Sequence, residues 1–241
     1  MSNVGVIFRR EFRGYFDSTI AYIFVVVYLL LNSGFFMSGF FLSGEASLRA
    51  FFENLPLFNI FFLPAITMGL WANEQQAGTF ELLMTLPMKS WQVVTGKYLA
   101  SLAFYTIALA CTFTLPLMVT SLGNADPGAI FTGYVGAFLL GAFYLALGIF
   151  ISGLFKEQIA AFIVTCLVCL FFLLLGNDFV VAGIDGWIAG FGSFLRDHVA
   201  FSSHWNSLQR GVIDFSSILY FLTMPALFLG LNAISLERRR Y

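Results

Sequence analysis

The sequence predicts an all-α polytopic membrane protein with six transmembrane helices, an N-terminal interfacial elbow helix and a re-entrant outer segment between helices 5 and 6. Three observations predict it. Six long apolar stretches run over residues 19–42, 55–72, 98–121, 129–155, 159–176 and 217–236. The chain is 59% hydrophobic and 10% charged, against about 25% charged residues in soluble domains. Its positive charges are sorted to one side of the stretches. About 20 apolar residues let a helix cross a ~30 Å hydrocarbon layer. No water satisfies the backbone there, so each stretch must close its own hydrogen bonds, as a helix does. The fifth stretch is the shortest. Spans and short loops consume most of the 241 residues, which predicts a single membrane domain over 1–241.

Charge sorting sets the expected orientation. With both termini in the cytoplasm, that side holds Arg9, Arg10, Arg13, Lys89, Lys97, Lys156, Arg238, Arg239 and Arg240; the other holds Arg49, Arg196 and Arg210. Nine against three is the bias that orients membrane proteins, and it concerns Lys and Arg rather than net charge. The expected arrangement is therefore multi-pass, with both termini cytoplasmic. The first apolar run exceeds a signal-peptide core and lacks a small-residue cleavage site, so it reads as a retained span.

The elements follow in order. Before the first span, Val4, Ile7, Phe8, Phe12, Tyr15 and Phe16 recur at helical spacing, with Arg9, Arg10 and Arg13 on the opposite side. That pattern over residues 4–16 predicts an interfacial elbow, apolar face down and arginines among the headgroups; the alternative is a frayed positive tail. Residues 43–54 read as a simple outer loop. The inner segment 73–97 is too long for a connector. Within it, Thr79 is placed to cap a short helix, Glu81 to complement its dipole and Pro87 to stop it. Phe80, Leu82, Leu83 and Leu86 supply its apolar contacts, and Ser90 is placed to cap the next helix. Asn124, Asp126, Pro127 and Gly128 mark a tight outer turn. Lys156, Glu157 and Gln158 link the fourth and fifth helices as antiparallel neighbours. Pro64, Pro116 and Pro225 fall inside spans, where neighbouring helices tolerate kinks.

The outer segment 177–215 carries Trp187, Phe191, Phe194 and Leu195 at i, i+4, i+7 and i+8. One apolar helical face of that size predicts a cap or re-entrant helix; the alternative is an interfacial loop anchored by Trp187 and Trp205. His204, Arg210 and Asp214 follow, with Arg210 and Asp214 spaced to pair on a helical turn.

Several chemistries are excluded. No span carries Asp, Glu, Lys, Arg or His near its middle, where coupling ions act in secondary transporters. Gly96 and Lys97 form a Gly-Lys pair, but no Gly lies five residues earlier and Tyr98 stands where a phosphate loop needs Ser or Thr. Cys166 and Cys169 form a C-x-x-C on an apolar helix without a second pair, which reads as packing. His198, His204, Asp197 and Asp214 lack metal spacing or a nucleophile motif. No catalytic residue and no metal site is expected in this chain, and no nucleic acid is an expected partner.

Glu74, Gly78, Thr79, Glu81, Leu83 and Pro87, followed by Val94, Gly96 and Lys97, resemble the ABC-2 class of ABC-exporter membrane subunits. The start from Arg9 to Ser18 looks like that family's elbow. The runs F-L-P-A-I-T-M from Phe62 and H-W-N-S-L-Q-R-G-V-I-D from His204 look like its gliding-motility (GldF-type) branch. The resemblance implies a permease with six helices per half, paired with a second permease copy or paralogue and seated on two copies of a cytoplasmic ABC ATPase. ATP and Mg would bind that partner, with no cofactor on this chain. Glu74, Gly78, Thr79, Glu81, Leu82, Leu83 and Pro87 would form the ATPase-coupling region. Phe8, Arg9, Arg10, Phe12 and Arg13 would form the elbow; Trp187, Phe191, Phe194, His204, Arg210 and Asp214 would belong to the outer cap. The branch implies an accessory membrane protein with a large periplasmic domain. The 31 Phe point to a lipidic or amphipathic substrate, although Phe is equally a packing residue among membrane lipid. The rival expectation is a mechanotransmission or signalling module that acts on a periplasmic partner without transport.

Overall fold

The computed structural model describes residues 3–43, 47–81, 88–123, 125–187 and 190–238. Every regular element among them is a helix. Helix α1, Asn3–Asp17, precedes α2, Thr19–Ser43, and the two are separated only by Ser18. The second apolar stretch forms α3, Arg49–Thr67, and α4, Gly69–Gln76. The third forms α5, Ser90–Cys111, and α6, Thr114–Leu122. The fourth is α7, Pro127–Leu154, and the fifth is α8, Gln158–Leu174. Three short helices follow: α9, Asp178–Trp187, α10, Phe191–His198, and α11, Ser202–Gln209. The last span is α12, Phe215–Arg238.

Five helical stretches are long and apolar enough to cross a membrane, and a sixth is counted if α8 and α9 are one broken span, bent by 87°. With α8 alone only 17 residues long, the polypeptide turns nearly at right angles where the sequence places the end of the fifth span. The chain is a multi-pass membrane protein.

Helix α7 is the central post. Gly133, Gly136, Ala137, Gly141 and Gly148 are small enough for α3, α5 and α11 to approach it closely. A chain of buried polar contacts crosses the bundle: Tyr28 donates to Asn59 Oδ1 at 3.3 Å, Asn59 Nδ2 to Tyr105 at 3.1 Å, and Tyr105 to the Ala137 carbonyl at 3.0 Å. In hydrocarbon such groups lack water, and pairing them fixes the register of α2, α3, α5 and α7.

Two boundaries differ from the sequence expectation. Residues 49–54 are already helical, and Leu48, Phe51, Phe52 and Leu55 are buried. Phe51 packs on Phe36 and Phe52 edge-on to Tyr134, so aromatic burial extends the second span into the expected loop. At the third span, Lys89 rather than Ser90 stands outside the helix, and its N–H donates to Gln92 Oε1. The turn before α7 follows the sequence signals: Pro127 opens the helix and Asp126 Oδ1 accepts from Gly128 N at 2.9 Å.

Candidate functional site

Helix α1 and the last turn of α12 meet at one end of the bundle, where Ile7, Leu70, Trp71, Val93, Val94, Ile149 and Leu236 form a compact apolar cluster. Helix α1 lies across the first turns of α5. At Gly96 an added Cβ would come within 2.7 Å of the Ile7 side chain and 3.1 Å of the Val4 carbonyl, so only Gly permits this approach. Asn3 Nδ2 donates to Gln92 Oε1, and Tyr15 stacks on Phe104 at 4.8 Å.

This crossing assembles a four-charge cluster. Lys97, on α5, is 1% exposed. Its ammonium donates to Glu11 Oε1 at 3.1 Å, Glu74 Oε1 at 3.0 Å and the Leu70 carbonyl at 2.8 Å. It also lies 4.8 Å from the centre of the Trp71 ring, within range of a cation–π attraction. Arg10 reaches the same two carboxylates, at 2.5 and 2.6 Å. Burial would raise the Glu11 carboxyl, but Lys97 and Arg10 together outweigh it and hold Glu11 below its ordinary value. Burial likewise opposes the Arg10 charge, and the carboxylates of Glu11 and Glu74 more than offset that, pushing Arg10 upward. A buried ammonium without such partners would be strongly disfavoured.

Helix α4, which carries Glu74, is fastened on its other side to α7 and α8. Ser152 Oγ accepts from Trp71 N at 3.2 Å and donates to the Met68 carbonyl at 2.8 Å. Gln75 Nε2 donates to the Gly153 carbonyl, and Gln158 Nε2 donates to Asn73 Oδ1. Any displacement of α4 therefore pulls on the elbow, the third span and the fourth span together. After α4 the chain reverses at Gly78, whose φ of +69° is the left-handed conformation that Gly adopts without a Cβ penalty.

Several sequence expectations change here. Thr79 is itself helical and donates back to the Glu74 carbonyl, so Gly78 occupies the position expected of a Thr79 cap. Phe80 turns inward, edge-on to Trp71 at 6.1 Å. Glu81 is exposed; Leu82, Leu83, Leu86 and Pro87 lie outside the described residues. On the elbow, Phe8 and Phe12 stack at 5.4 Å and are half-buried, while Arg9 and Arg13 are exposed. Arg10 leaves the expected headgroup-facing set for the ion cluster, because Glu74 is close enough to compensate its charge.

Glu11 and Lys97 are the functional candidates that sequence reasoning missed. A signal existed: Glu11 falls at i+4 from Ile7 and i−4 from Tyr15, so it sits on the apolar stripe of α1. A carboxylate on a buried face requires a partner, and Lys97 is that partner, 86 residues away.

At the outer segment the expected continuous face is broken. Trp187 ends α9, and Gly190, at φ +79°, separates it from Phe191 at the start of α10. Trp187 is 93% exposed, and Phe191 and Phe194 are also exposed. The packed part lies further along, where Ala200, Phe201, Trp205 and Leu208 are buried and Trp205 and Leu208 flank Gly136 of α7. Asp185 Oδ1 accepts from Gly192 N and Ser193 N, joining α9 to α10. Arg210 and Asp214 form no ion pair among the described residues: α11 stops at Gln209, Gly211 has φ +85°, and Asp214 accepts from Ser216. His204 stacks on Tyr220 at 4.7 Å with Nδ1 3.2 Å from Ser217 Oγ. Burial pulls the His204 pKa below its ordinary value, with Asp214 opposing.

Residues 6–240 match the family described as ABC-2 family transporter protein. None of the curated proteins compared with the chain matches it.

Proposed function

Because the chain belongs to the ABC-2 transporter family, we propose that it is the permease through which a cytoplasmic ATPase drives export of a lipidic or amphipathic molecule across a bacterial inner membrane. Family membership makes it the membrane component of an ABC transporter, working with a separate ABC ATPase in an assembly that is typically a dimer. The rest is our reading. Two ATPase copies, loaded with ATP and Mg, would grip residues 73–97 on the side that carries both termini, and a second permease copy or paralogue would complete the path. The whole chain would act as one membrane domain. The gliding-motility branch supplies a further expectation, an accessory protein with a large periplasmic domain meeting residues 177–215.

The observation that carries this reading is the fastening of α4 on both flanks. Glu74 is tied to Lys97 and Arg10, while Trp71, Gln75 and Asn73 are tied to Ser152, Gly153 and Gln158. A push that displaces α4 would reach three spans through these contacts. Nucleotide shifts such an assembly only by binding its two states with different affinity, and the ATPase supplies that difference.

The test is purification of the complex followed by reconstitution, with ATP turnover and the movement of a fluorescent lipid measured together. Substituting Leu82→Asp and Leu83→Asp is expected to release the ATPase or uncouple its turnover, because unpartnered carboxylates are costly to bury. Normal assembly and normal turnover in that double variant would overturn the coupling assignment. ATP turnover that reshapes a periplasmic partner while no lipid moves would replace export with mechanotransmission.

A further inference from the structure

A cavity of about 470 Å³ lies in the crook between α1 and α2, closed on the far side by α3, α4 and α5. Its wall is divided. One end presents Arg10, Glu11 and Glu74; the other presents Ala21 and Phe24 from the first turns of α2 and Phe104 from the middle of α5. Small residues keep it open, including Gly14 of α1 and Ala65 of α3. Gly14 has φ below zero and an added Cβ would meet nothing within 4 Å. The space beside Gly14 is therefore open to a molecule lying against α1.

The geometry points to a binding site for a zwitterionic phospholipid bearing a primary ammonium, taken from the leaflet at the end of the bundle where the chain termini lie. The assignment rests on reading α1 as interfacial, which places the charged end at headgroup depth and the apolar end at acyl-chain depth. The charges select the headgroup. Lys97 and Glu74 Oε2 are buried, so the accessible charges are the half-exposed Arg10 guanidinium and the rim of Glu11. The phosphate meets Arg10 and the ammonium meets Glu11. A headgroup of net negative charge would find the same cation but would lie against a carboxylate with nothing to offer it. A lipid seated there touches the elbow, the first span and α4 at once, and so senses the element proposed to couple to the ATPase.

The full chain is reconstituted in nanodiscs containing a trace of phosphatidylethanolamine with a photoreactive group in its acyl chain, and the cross-linked peptides are mapped. Labelling is expected at residues 18–24 and 65–69, with competition by unlabelled phosphatidylethanolamine and little by phosphatidylglycerol. Filling the cavity with Gly14→Leu and Ala21→Phe together is expected to abolish labelling at those peptides while labelling elsewhere on the spans persists. Arg10→Gln leaves the cavity open; loss of one charge-assisted contact, converted through the affinity scale, is expected to weaken competition by the ethanolamine lipid about tenfold. Equal competition by both lipids would identify ordinary annular lipid and overturn the assignment. So would labelling that survives filling. Should the filled variant fail to fold, the Arg10→Gln comparison decides alone. Co-purification of the ATPase is scored separately, so loss of the permease reading and loss of this site are distinguishable.

Discussion

The two ends of the bundle are built differently. At the end where α1 meets α12, Glu11 and Glu74 converge on the buried Lys97 ammonium with Arg10 paired to both carboxylates, and residues 86 and 64 positions apart meet. At the opposite end, α9, α10 and α11 are held by short-range contacts: Asp185 with the start of α10, Arg196 with Asp178 at 2.5 Å, and His204 against Tyr220. Only α11 is packed deeply, through Trp205 and Leu208 on α7. A long-range ionic knot resists separation of elements and transmits a pull. A set of local turns over one aromatic anchor permits rearrangement above that anchor. The contrast suits a permease driven from one side and opening on the other.

The comparison breaks most visibly if either anchor proves dispensable. Lys97→Ala leaves two carboxylates sharing a poorly solvated pocket and is expected to cost about 3 kcal/mol, read as a lower unfolding temperature in detergent. Adding Glu11→Gln or Glu74→Gln, one at a time, is expected to recover much of that loss, since the remaining carboxylate is then balanced by Arg10. Trp205→Ala, at a site 4% exposed, is expected to cost about 3 kcal/mol through the cavity it leaves. Trp187→Ala in the same segment is expected to stay within about 0.5 kcal/mol. If the two tryptophans behave alike, the division between buried anchor and exposed surface is wrong.

Gly96→Leu probes the elbow crossing and is expected to cost about 1–3 kcal/mol by overpacking against Ile7. Ile7→Ala in the same chain should relieve part of it. Accessibility of a cysteine placed at position 8 reports whether α1 has lifted away. A larger loss from Gly96→Leu than from Trp187→Ala is the ordering this architecture requires.

Acid separates the two ends by pH window. His204 is held below its ordinary 6.5, so the folded outer segment binds fewer protons than the unfolded one, and its stability falls as pH drops below about 6.5 towards the lowered folded value. Glu11 is held below its ordinary 4.5, so its contribution is present above that value and is lost as pH falls through the lowered folded one. Hydrogen exchange between pH 7 and 4 is expected to show the segment around residues 202–217 loosening first. Simultaneous loosening of α1 would contradict the assignment of Glu11 to the ion cluster.

Helical spans were legible in the chain because hydrocarbon leaves the backbone no other partner, and about 20 apolar residues announce that environment locally. The tight turn at Asp126 to Gly128 and the helicity of residues 3–17 were legible for the same reason, since caps and amphipathic periods are read from neighbours in sequence. Residues 49–54 were misread because Phe51 and Phe52 acquire their burial from Phe36 and Tyr134, on other helices. The Trp187–Leu195 face was misread because Gly190 adopts a positive φ that periodicity alone does not reveal.

What the sequence determined, then, is which stretches of the chain are driven into helix and where its positive charge is concentrated, because both depend on composition within a window of residues. Tertiary structure decided which charges meet. In its own segment each of Glu11, Glu74, Arg10 and Lys97 gives no sign of which partner it meets. They become a buried cluster only because Gly96 lets α1 lie close against α5 and Ser152 holds α4 beside them. Desolvation then turns a set of exposed charges into mutual requirements, and that energy exists nowhere in the sequence until the helices pack.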